Sequence, residues 1–314
     1  MPLKVLIYAE QAKDYRDRLA PQFPGVAFYP AYSREAAAAI IADVDVIFTL
    51  AHVIPRELIP QARALKWVQS MTTGTDALIG VLPPHVLLTS TRGVHGPQMS
   101  ELAFLHMLAL NRHFVLMRES QTKAVWDRHA QPLLEGRTII IVGVGILAEH
   151  LAARCKLFGM EVLGVSSGRK HVPHFDEVHP RASLREVTAR ADFLMILVPY
   201  SKETHHLIDA NVISAMKPSA YLINLARGGV LDEAALVVAL KAGKIAGAGL
   251  DVFSTQPLPP ESPLWHVPNL IITPNVGGHS DRFVEQTLTV ATPNLRAFIE
   301  GRQKDMRNIV AHLM

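Results

Sequence analysis

The sequence predicts an α/β fold with two doubly wound parallel sheets. Short apolar segments alternate with segments whose apolar residues recur at helical spacing, and this alternation starts near residue 4 and again at residue 138. Strands alternating with helices form parallel sheets that helices cover on both faces. The 314 residues exceed one typical domain of about 100–200 residues, so two domains are expected.

The first series of elements predicts a small parallel sheet. Its apolar strands are predicted at residues 4–8, 45–50 and 67–70. Ala-rich faces, as in residues 35–42, predict the helices between them. A longer helix is predicted over residues 97–114, where apolar residues recur at helical spacing.

The second series predicts a larger sheet, with strands at residues 138–142, 161–165, 193–198, 220–224, 246–250 and 270–273. Helical patterns separate them, notably at residues 147–158, 184–189 and 233–242, and a last helix is predicted over 281–300. Six parallel strands with crossover helices are typical of a doubly wound nucleotide-binding domain.

Composition excludes several classes of protein. Lys and Arg total 31 against 28 Asp and Glu, and the basic residues are dispersed, so no nucleic-acid partner is expected. A single cysteine, Cys155, excludes an intrachain disulfide and a cysteine-rich zinc site, and no His, Asp or Glu spacing suggests another metal site. Apolar stretches are too short for a signal peptide or a spanning helix, so a soluble cytoplasmic protein is expected.

Residues 143–148 read Gly-Val-Gly-Ile-Leu-Ala and join a predicted strand to a predicted helix. This is the dinucleotide fingerprint in its required setting: Gly143 permits the turn, Gly145 lets a pyrophosphate approach the backbone, and Ala148 allows close packing. The N–H groups of Ile146 and Leu147 at the helix start are expected to face the phosphates. An ordinary glycine-rich turn is the alternative.

The end of the next strand predicts which dinucleotide binds. An NAD site usually places Asp or Glu about 20 residues after the first glycine. Here the strand ends in Ser166 and Ser167, and Arg169 and Lys170 follow. Two hydroxyls and two cations suit a 2′-phosphate, so NADP is predicted in preference to NAD. A solvated basic loop is the alternative.

Read together, five segments resemble the D-isomer-specific 2-hydroxyacid dehydrogenase family, and within it the glyoxylate/hydroxypyruvate reductase branch. They are Thr-Arg-Gly-Val-His at 91–95, the glycine turn at 143–148, Asn-Leu-Ala-Arg-Gly-Gly at 224–229, Leu-Asp-Val-Phe at 250–253, and Pro-Leu-Pro-Pro-Glu-Ser-Pro-Leu-Trp at 257–265. The resemblance covers essentially the whole chain.

The resemblance implies a Rossmann cofactor domain, residues 99–285, inserted into a flavodoxin-like substrate domain, residues 1–98 and 286–314, with the active site in the cleft. It also implies a homodimer in which the segment around residues 101–126 wraps against the partner.

The same resemblance implies hydride transfer between a nicotinamide and a small 2-oxo acid such as glyoxylate or hydroxypyruvate, giving the D-2-hydroxy acid. Arg227 would bind the substrate, and the loop of Thr72, Thr73 and Gly74 would hold its carboxylate. The further cofactor contacts implied are Val198, Pro199, Thr204, Ala226, Asp251, Gly277 and Gly278.

The chain departs from the family at two catalytic positions. Gln256 stands where the family has Glu, and Asn275 stands where it has the His that protonates the carbonyl oxygen. An amide donates a hydrogen bond but releases no proton near neutral pH. Loss of a general acid typically lowers the rate by about 10²–10⁴, which corresponds to about 3–5 kcal/mol of barrier. Arg227, Gln256 and Asn275 are therefore predicted as the catalytic set of an attenuated reductase.

Several explanations of the two amides remain open at this level. They are compatible with a deliberate replacement that traps a bound complex, and with a natural site in which another donor, such as His279, supplies the proton. They are also compatible with hydride transfer that needs no acid–base group. A non-catalytic NADP(H)-binding sensor or partner-binding protein is the hypothesis from another class.

Overall fold

The computed structural model describes residues 2–310, which form two compact units. The first unit, here called unit 1, combines the chain up to His95 with the chain from Ser280 onward, and unit 2 is Gly96–His279. Both boundaries lie a few residues before the predicted positions of 98/99 and 285/286. The reason is that one helix begins at Gly96 within unit 2, and another begins at Phe283, whose side chain is buried in unit 1.

The strands are β1 Leu3–Tyr8, β2 Val26–Ala31, β3 Val46–Thr49, β4 Trp67–Ser70, β5 Leu87–Thr89, β6 Thr138–Val142, β7 Glu161–Ser166, β8 Glu177–Pro180, β9 Phe193–Ile196, β10 Tyr221–Asn224, β11 Gly247–Leu250 and β12 Leu270–Ile272. The α-helices are α1 Ala12–Leu19, α2 Arg34–Ala38, α3 Gly96–Asn111, α4 Phe114–Thr122, α5 Ile146–Leu157, α6 Leu184–Thr188, α7 Ala210–Ala215, α8 Glu233–Lys241 and α9 Phe283–Ile299.

Unit 1 is a parallel sheet in the order β2-β1-β3-β4-β5, which is the flavodoxin-like order. Hydrogen bonds connect α9 to this sheet although the two are far apart in sequence. The Asn294 side chain donates to Gln69 Oε1 at 2.9 Å, and Gln69 also accepts from Thr89 Oγ1 at 2.8 Å. Trp67, which is fully buried, donates to the same Thr89 hydroxyl at 2.8 Å. The C-terminal helix is therefore part of the unit 1 core.

Unit 2 is a parallel sheet in the order β12-β11-β10-β9-β6-β7-β8. The strand order reverses between β6 and β9, which is the position where open α/β sheets bind ligands. The prediction of two doubly wound parallel sheets, one of the Rossmann type, is confirmed.

The sequence analysis missed three strands and one helix break. β2 contains a proline, β5 has three residues, and β8 reads Glu-Val-His-Pro, so none shows a long apolar run. β2 and β8 are edge strands, where such residues are tolerated. The helix predicted over 97–114 is two helices, because His113 adopts a left-handed conformation with φ of 51° between α3 and α4.

Candidate active site

The glycine turn after β6 has the geometry that a dinucleotide requires. Gly143 has φ of 98°, and a Cβ there would lie 2.6 Å from the backbone of Val198, so only glycine fits. A Cβ on Gly145 would meet no atom within 4 Å, so this side of the turn is open to a ligand. Gly145 begins α5 without a side-chain cap, which leaves the first N–H groups of the helix for phosphate oxygens.

A cavity of about 280 Å³ lies at this turn, at the carboxyl ends of β6, β7 and β9. The predicted cofactor residues that line it are Gly143, Gly145, Ser166, Ser167, Val198, Pro199 and Thr204. The structure adds Arg181, which begins a short 3₁₀ helix after β8, and Ser201, which lies between the predicted contacts Pro199 and Thr204. Sequence reasoning missed both because neither belongs to a motif residue set. Ile146 and Leu147 form the first turn of α5 beside it.

The two predicted cations after β7 lie in different surroundings. The Arg169 guanidinium forms an ion pair with Glu149 on α5, and its backbone N–H donates to Ser166 Oγ at 3.0 Å. Lys170 is exposed and does not line the cavity. Arg181 lines the cavity, and within residues 2–310 its guanidinium forms no hydrogen bond or ion pair, although its backbone carbonyl accepts from the Leu184 N–H. Arg181 is therefore the guanidinium available to a ligand in this cavity.

Three further loops follow the adjacent strands β10, β11 and β12 at the same edge of the sheet. The first carries Arg227, which is exposed. The fully buried Asn224 side chain holds this turn by donating to the Arg227 carbonyl and accepting from the Ala226 N–H, each at 3.0 Å. A Cβ on Gly228 would lie 1.9 Å from the Phe253 carbonyl carbon, so the Arg227 turn packs directly on the loop after β11.

The second and third loops meet through the two amides. Asn275 Nδ2 donates to Gln256 Oε1 at 2.9 Å, and Gln256 Nε2 donates to the Phe253 carbonyl at 3.1 Å. Because a carbonyl only accepts, Phe253 fixes the orientation of Gln256, and Gln256 in turn fixes that of Asn275. Both amides are exposed, and Asn275 adopts φ of 55°, a left-handed conformation that asparagine tolerates. The structure therefore brings Gln256 and Asn275 together as an oriented pair.

The carboxylate of Asp251 holds the loop that carries Asn275. It accepts the N–H groups of Val276 at 3.0 Å and Gly277 at 2.9 Å, and the Thr273 hydroxyl at 2.7 Å. Asp251 is 2% exposed. Its carboxylate oxygens thus bind this loop, and its predicted cofactor contact stays a prediction.

His106 of α3 extends this network, and in the sequence it falls within the apolar helix predicted over residues 97–114. Its Nε2 lies 3.1 Å from Thr273 Oγ1, and that hydroxyl already donates to Asp251, so Nε2 carries the proton and donates. Burial lowers the pKa of His106 to about 4, an effect that the Asp251 charge only partly offsets. His106 is therefore neutral near pH 7.

Two further predicted residues follow Gly277 in unit 2. Gly278 follows Gly277, and its carbonyl accepts from Gln98 Nε2 at 3.4 Å. His279, the alternative proton donor, is exposed, and its backbone N–H donates to Val276.

In unit 1, the predicted substrate loop follows β4. Thr72 Oγ1 donates to the Gly74 carbonyl at 2.8 Å, and Thr73 Oγ1 lies 3.0 Å from His95 Nδ1. Within residues 2–310 the backbone N–H groups of Thr73 and Gly74 have no hydrogen-bond acceptor, so they are free to bind an anion.

Within this described part of the chain, no cluster of His, Cys, Asp or Glu is arranged to hold a metal ion. None of its helices combines the length and apolar character needed to cross a membrane.

A glycine turn that opens a helix at the switch point of a seven-stranded parallel sheet defines unit 2 as a dinucleotide-binding domain. The family model for the NAD-binding domain of D-isomer specific 2-hydroxyacid dehydrogenases matches residues 104–277. The chain belongs to this family, and it is an oxidoreductase with a domain for a nicotinamide cofactor.

Individual relatives agree with this assignment. The glyoxylate reductase of Thermococcus litoralis is 33% identical over 273 residues, which are 83% of this chain and 82% of that protein. A crystal structure of a D-isomer specific 2-hydroxyacid dehydrogenase family protein from Aeromonas salmonicida is 35% identical, with a TM-score of 0.92 over 99% of both chains. The NADPH-dependent glyoxylate/hydroxypyruvate reductase of Sinorhizobium meliloti, in complex with NADP and sulfate, is 25% identical, with a TM-score of 0.85 over 98% of both chains.

Proposed function

We propose that the protein uses NADPH to reduce a small 2-oxo acid of the glyoxylate or hydroxypyruvate type to the D-2-hydroxy acid, at a rate limited by the lack of an ionisable proton donor. The observation that carries this proposal is the Gln256–Asn275 amide pair beside the Arg227 turn. Relatives named glyoxylate reductase at 32–34% identity support the substrate class.

The residues of the glycine turn fit a nicotinamide dinucleotide. Gly143, Gly145 and the first turn of α5 would hold its pyrophosphate, and a reduced nicotinamide supplies a hydride when bound there. Arg227 would bind and orient the substrate carboxylate, which its guanidinium geometry suits. The free N–H groups of Thr73 and Gly74 support the predicted role of their loop in holding a carboxylate.

The preference for NADP over NAD is supported by the end of β7. Ser166 and Ser167 line the cavity, and among residues 2–310 no Asp or Glu lines it. An NAD site normally presents a carboxylate to the ribose hydroxyls, and a carboxylate would repel a 2′-phosphate. Arg181 supplies the positive charge for that phosphate.

The test of the proposed function is to convert Gln256→Glu and Asn275→His together. NADPH-dependent reduction of glyoxylate or hydroxypyruvate should rise by about 10²-fold or more, because the pair then includes a general acid. An unchanged rate would show that the substrate class is wrong. Failure of the unaltered protein to bind NADPH in fluorescence or calorimetric titrations would overturn the cofactor assignment.

A homodimer is part of the proposal, because exposed apolar side chains concentrate on α4 and its flanks. α4 buries none of its residues, and the exposed apolar side chains of this region are Leu105, Phe114, Val115, Leu116, Met117, Val125, Trp126 and Leu133. Trp126 is 90% exposed. Such a surface is typical of an interface. Light scattering after size exclusion should give a dimer, and Phe114→Asp with Met117→Asp should give a monomer.

A cytoplasmic location also belongs to the proposal, since the one cysteine is buried and unpaired.

The second candidate function is a non-catalytic NADP(H) sensor, favoured by the absence of an ionisable side chain at positions 256 and 275. Saturable NADPH binding without reduction of any 2-oxo acid would support the sensor.

A further inference from the structure

The amide pair presents a defined set of hydrogen-bonding atoms. Phe253 accepts one N–H of Gln256, and Gln256 accepts one N–H of Asn275. These two hydrogen bonds leave the carbonyl oxygen Oδ1 of Asn275 and its second N–H available to a ligand. The pair therefore offers an acceptor as well as a donor, and it offers no proton that can be released near neutral pH.

Reduction of a carbonyl compound needs such a proton. When hydride adds to the carbon of a 2-oxo acid, the π electrons of the C=O bond pass to oxygen and form a strongly basic alkoxide. A positioned acid normally protonates that oxygen in the transition state. Gln256 and Asn275 supply hydrogen bonds to it but no proton.

We infer that the preferred hydride acceptor of this site is the iminium form of a 2-imino acid, an inference that rests on the proposed nicotinamide-dependent reduction. The iminium group, C=NH₂⁺, arises in solution when the carbonyl of a 2-oxo acid condenses with an ammonium ion (ammonia plus one proton from the buffer) and loses water. Hydride from NADPH adds to its carbon, and the π electrons of the C=N bond pass to nitrogen. The products are a neutral amine, which then takes a proton from water, and NADP⁺. The protein donates no proton at any point.

The arrangement of the residues also suits the recognition of an iminium. Its nitrogen carries only N–H donors, so it needs acceptors, and Asn275 Oδ1 is one. Uncharged amides at positions 256 and 275 place no cation against the iminium, whereas a protonated side chain there would repel it. Arg227 is held next to the Gln256 loop by the packing of Gly228 on Phe253, so it can balance the substrate carboxylate.

The experiment compares acceptors in one assay. Oxidation of NADPH by the full-length protein is followed with pyruvate alone and with pyruvate plus ammonium chloride or methylamine. The rate should rise about tenfold or more with the amine. Mass spectrometry should show alanine or N-methylalanine, with deuterium at the α carbon when the cofactor is 4-deuterated NADPH. A rate independent of amine, or lactate as the sole product, would overturn the inference.

Variants and binding provide independent readouts. Gln256→Glu with Asn275→His should lower the ratio of imine to oxo-acid reduction about tenfold or more, because the acid favours the oxo acid. The matched control is Asn269→His, the same replacement at a φ of 56° on the other end of β12, and it should leave the ratio unchanged. By calorimetry, the complex with NADP⁺ should bind D-alanine more tightly than D-lactate, and equal or reversed affinities would count against the inference.

NADPH titration separates the two levels of the proposal. If NADPH does not bind, the proposed function fails. If NADPH binds and 2-oxo acids are reduced regardless of amine, the inference fails and the proposed function stands. If NADPH binds and neither acceptor is reduced, the inference fails and the sensor function is favoured.

Discussion

Asp251 accepts the backbone N–H of Gly277 at 2.9 Å, and through this bond the end of β11 fixes the loop after β12. The neighbouring N–H of Val276 donates to the same carboxylate, and Asn275 lies directly before it. A buried carboxylate thus positions an exposed amide with which it has no direct hydrogen bond.

Asp251→Asn should release the loop after β12 from the end of β11. The amide would present N–H groups to backbone N–H donors, and a buried unsatisfied donor costs about 1–3 kcal/mol. We expect a lower melting temperature and a turnover number about tenfold lower, because Asn275 is displaced. The matched control is Asp232→Asn, which removes a carboxylate that accepts one N–H at the start of α8. It should lower stability while leaving turnover unchanged. A mutant Asp251→Asn with normal turnover would contradict the positioning role.

The buried His106 should make the protein less stable in acid. Its pKa is about 4 in the folded protein against 6.5 when unfolded, so the folded state favours the neutral ring. The stability it contributes is fully present above pH 6.5 and is lost as the pH falls towards 4, by about 3 kcal/mol in total. Denaturant unfolding at a series of pH values between 4 and 7 measures how the free energy of unfolding changes with pH. His106→Gln should flatten this dependence, whereas the exposed His85→Gln should not, and a titration of the His106 ring near pH 6.5 would refute the assignment.

Gly145→Ala should separate cofactor binding from folding. A Cβ at this position meets no protein atom within 4 Å, so the free energy of unfolding should change by less than about 1 kcal/mol. The methyl group would stand where the pyrophosphate approaches, and the Kd for NADPH should rise about tenfold. Gly25→Ala, which also meets open space, is the control for both measurements. Unchanged NADPH affinity in the Gly145 variant would show that the dinucleotide binds elsewhere.

Arg181 should discriminate between the two dinucleotides. Arg181→Gln removes the unpaired guanidinium of the cavity, and the Kd for NADPH should rise about tenfold while that for NADH is unchanged. Arg185→Gln, a change of the same chemistry on the exposed side of α6, should alter neither constant. An equal loss of affinity for NADPH and for NADH would mean that Arg181 does not contact the 2′-phosphate.

Cys155 should be inert in the native protein. It is fully buried in unit 2, and burial raises its thiol pKa to about 12, so little thiolate exists at pH 8. Ellman's reagent should react with it only after unfolding in guanidinium chloride. Rapid modification under native conditions would show that unit 2 opens locally around α5.

The glycine turn could be predicted because its geometry depends on the local backbone alone. Gly143 has φ of 98°, a conformation that favours glycine. Arg169 was predicted to contact the 2′-phosphate because it follows β7 and no acidic residue ends that strand. Its pairing with Glu149 depends on the packing of α5 beside β7, which no local pattern encodes. Arg181 and His106 were missed for the same reason. Each meets its neighbours through contacts distant in sequence, such as the approach of His106 to Thr273.

Synthesis of unit 1 starts before that of unit 2, but unit 1 is completed after it, because its last segment follows unit 2 in the chain. Unit 1 begins the chain, but its core also needs Phe283, Val284 and Leu295 of α9. At about 5–20 residues per second, translation delays that helix by roughly ten seconds or more after β5 emerges. Unit 2 is one continuous segment of the chain and needs no later helix to complete its core. It can therefore fold while the unit 1 sheet around Trp67 still lacks α9 on one face. Nascent chains of this protein should therefore need protection of that face until synthesis ends.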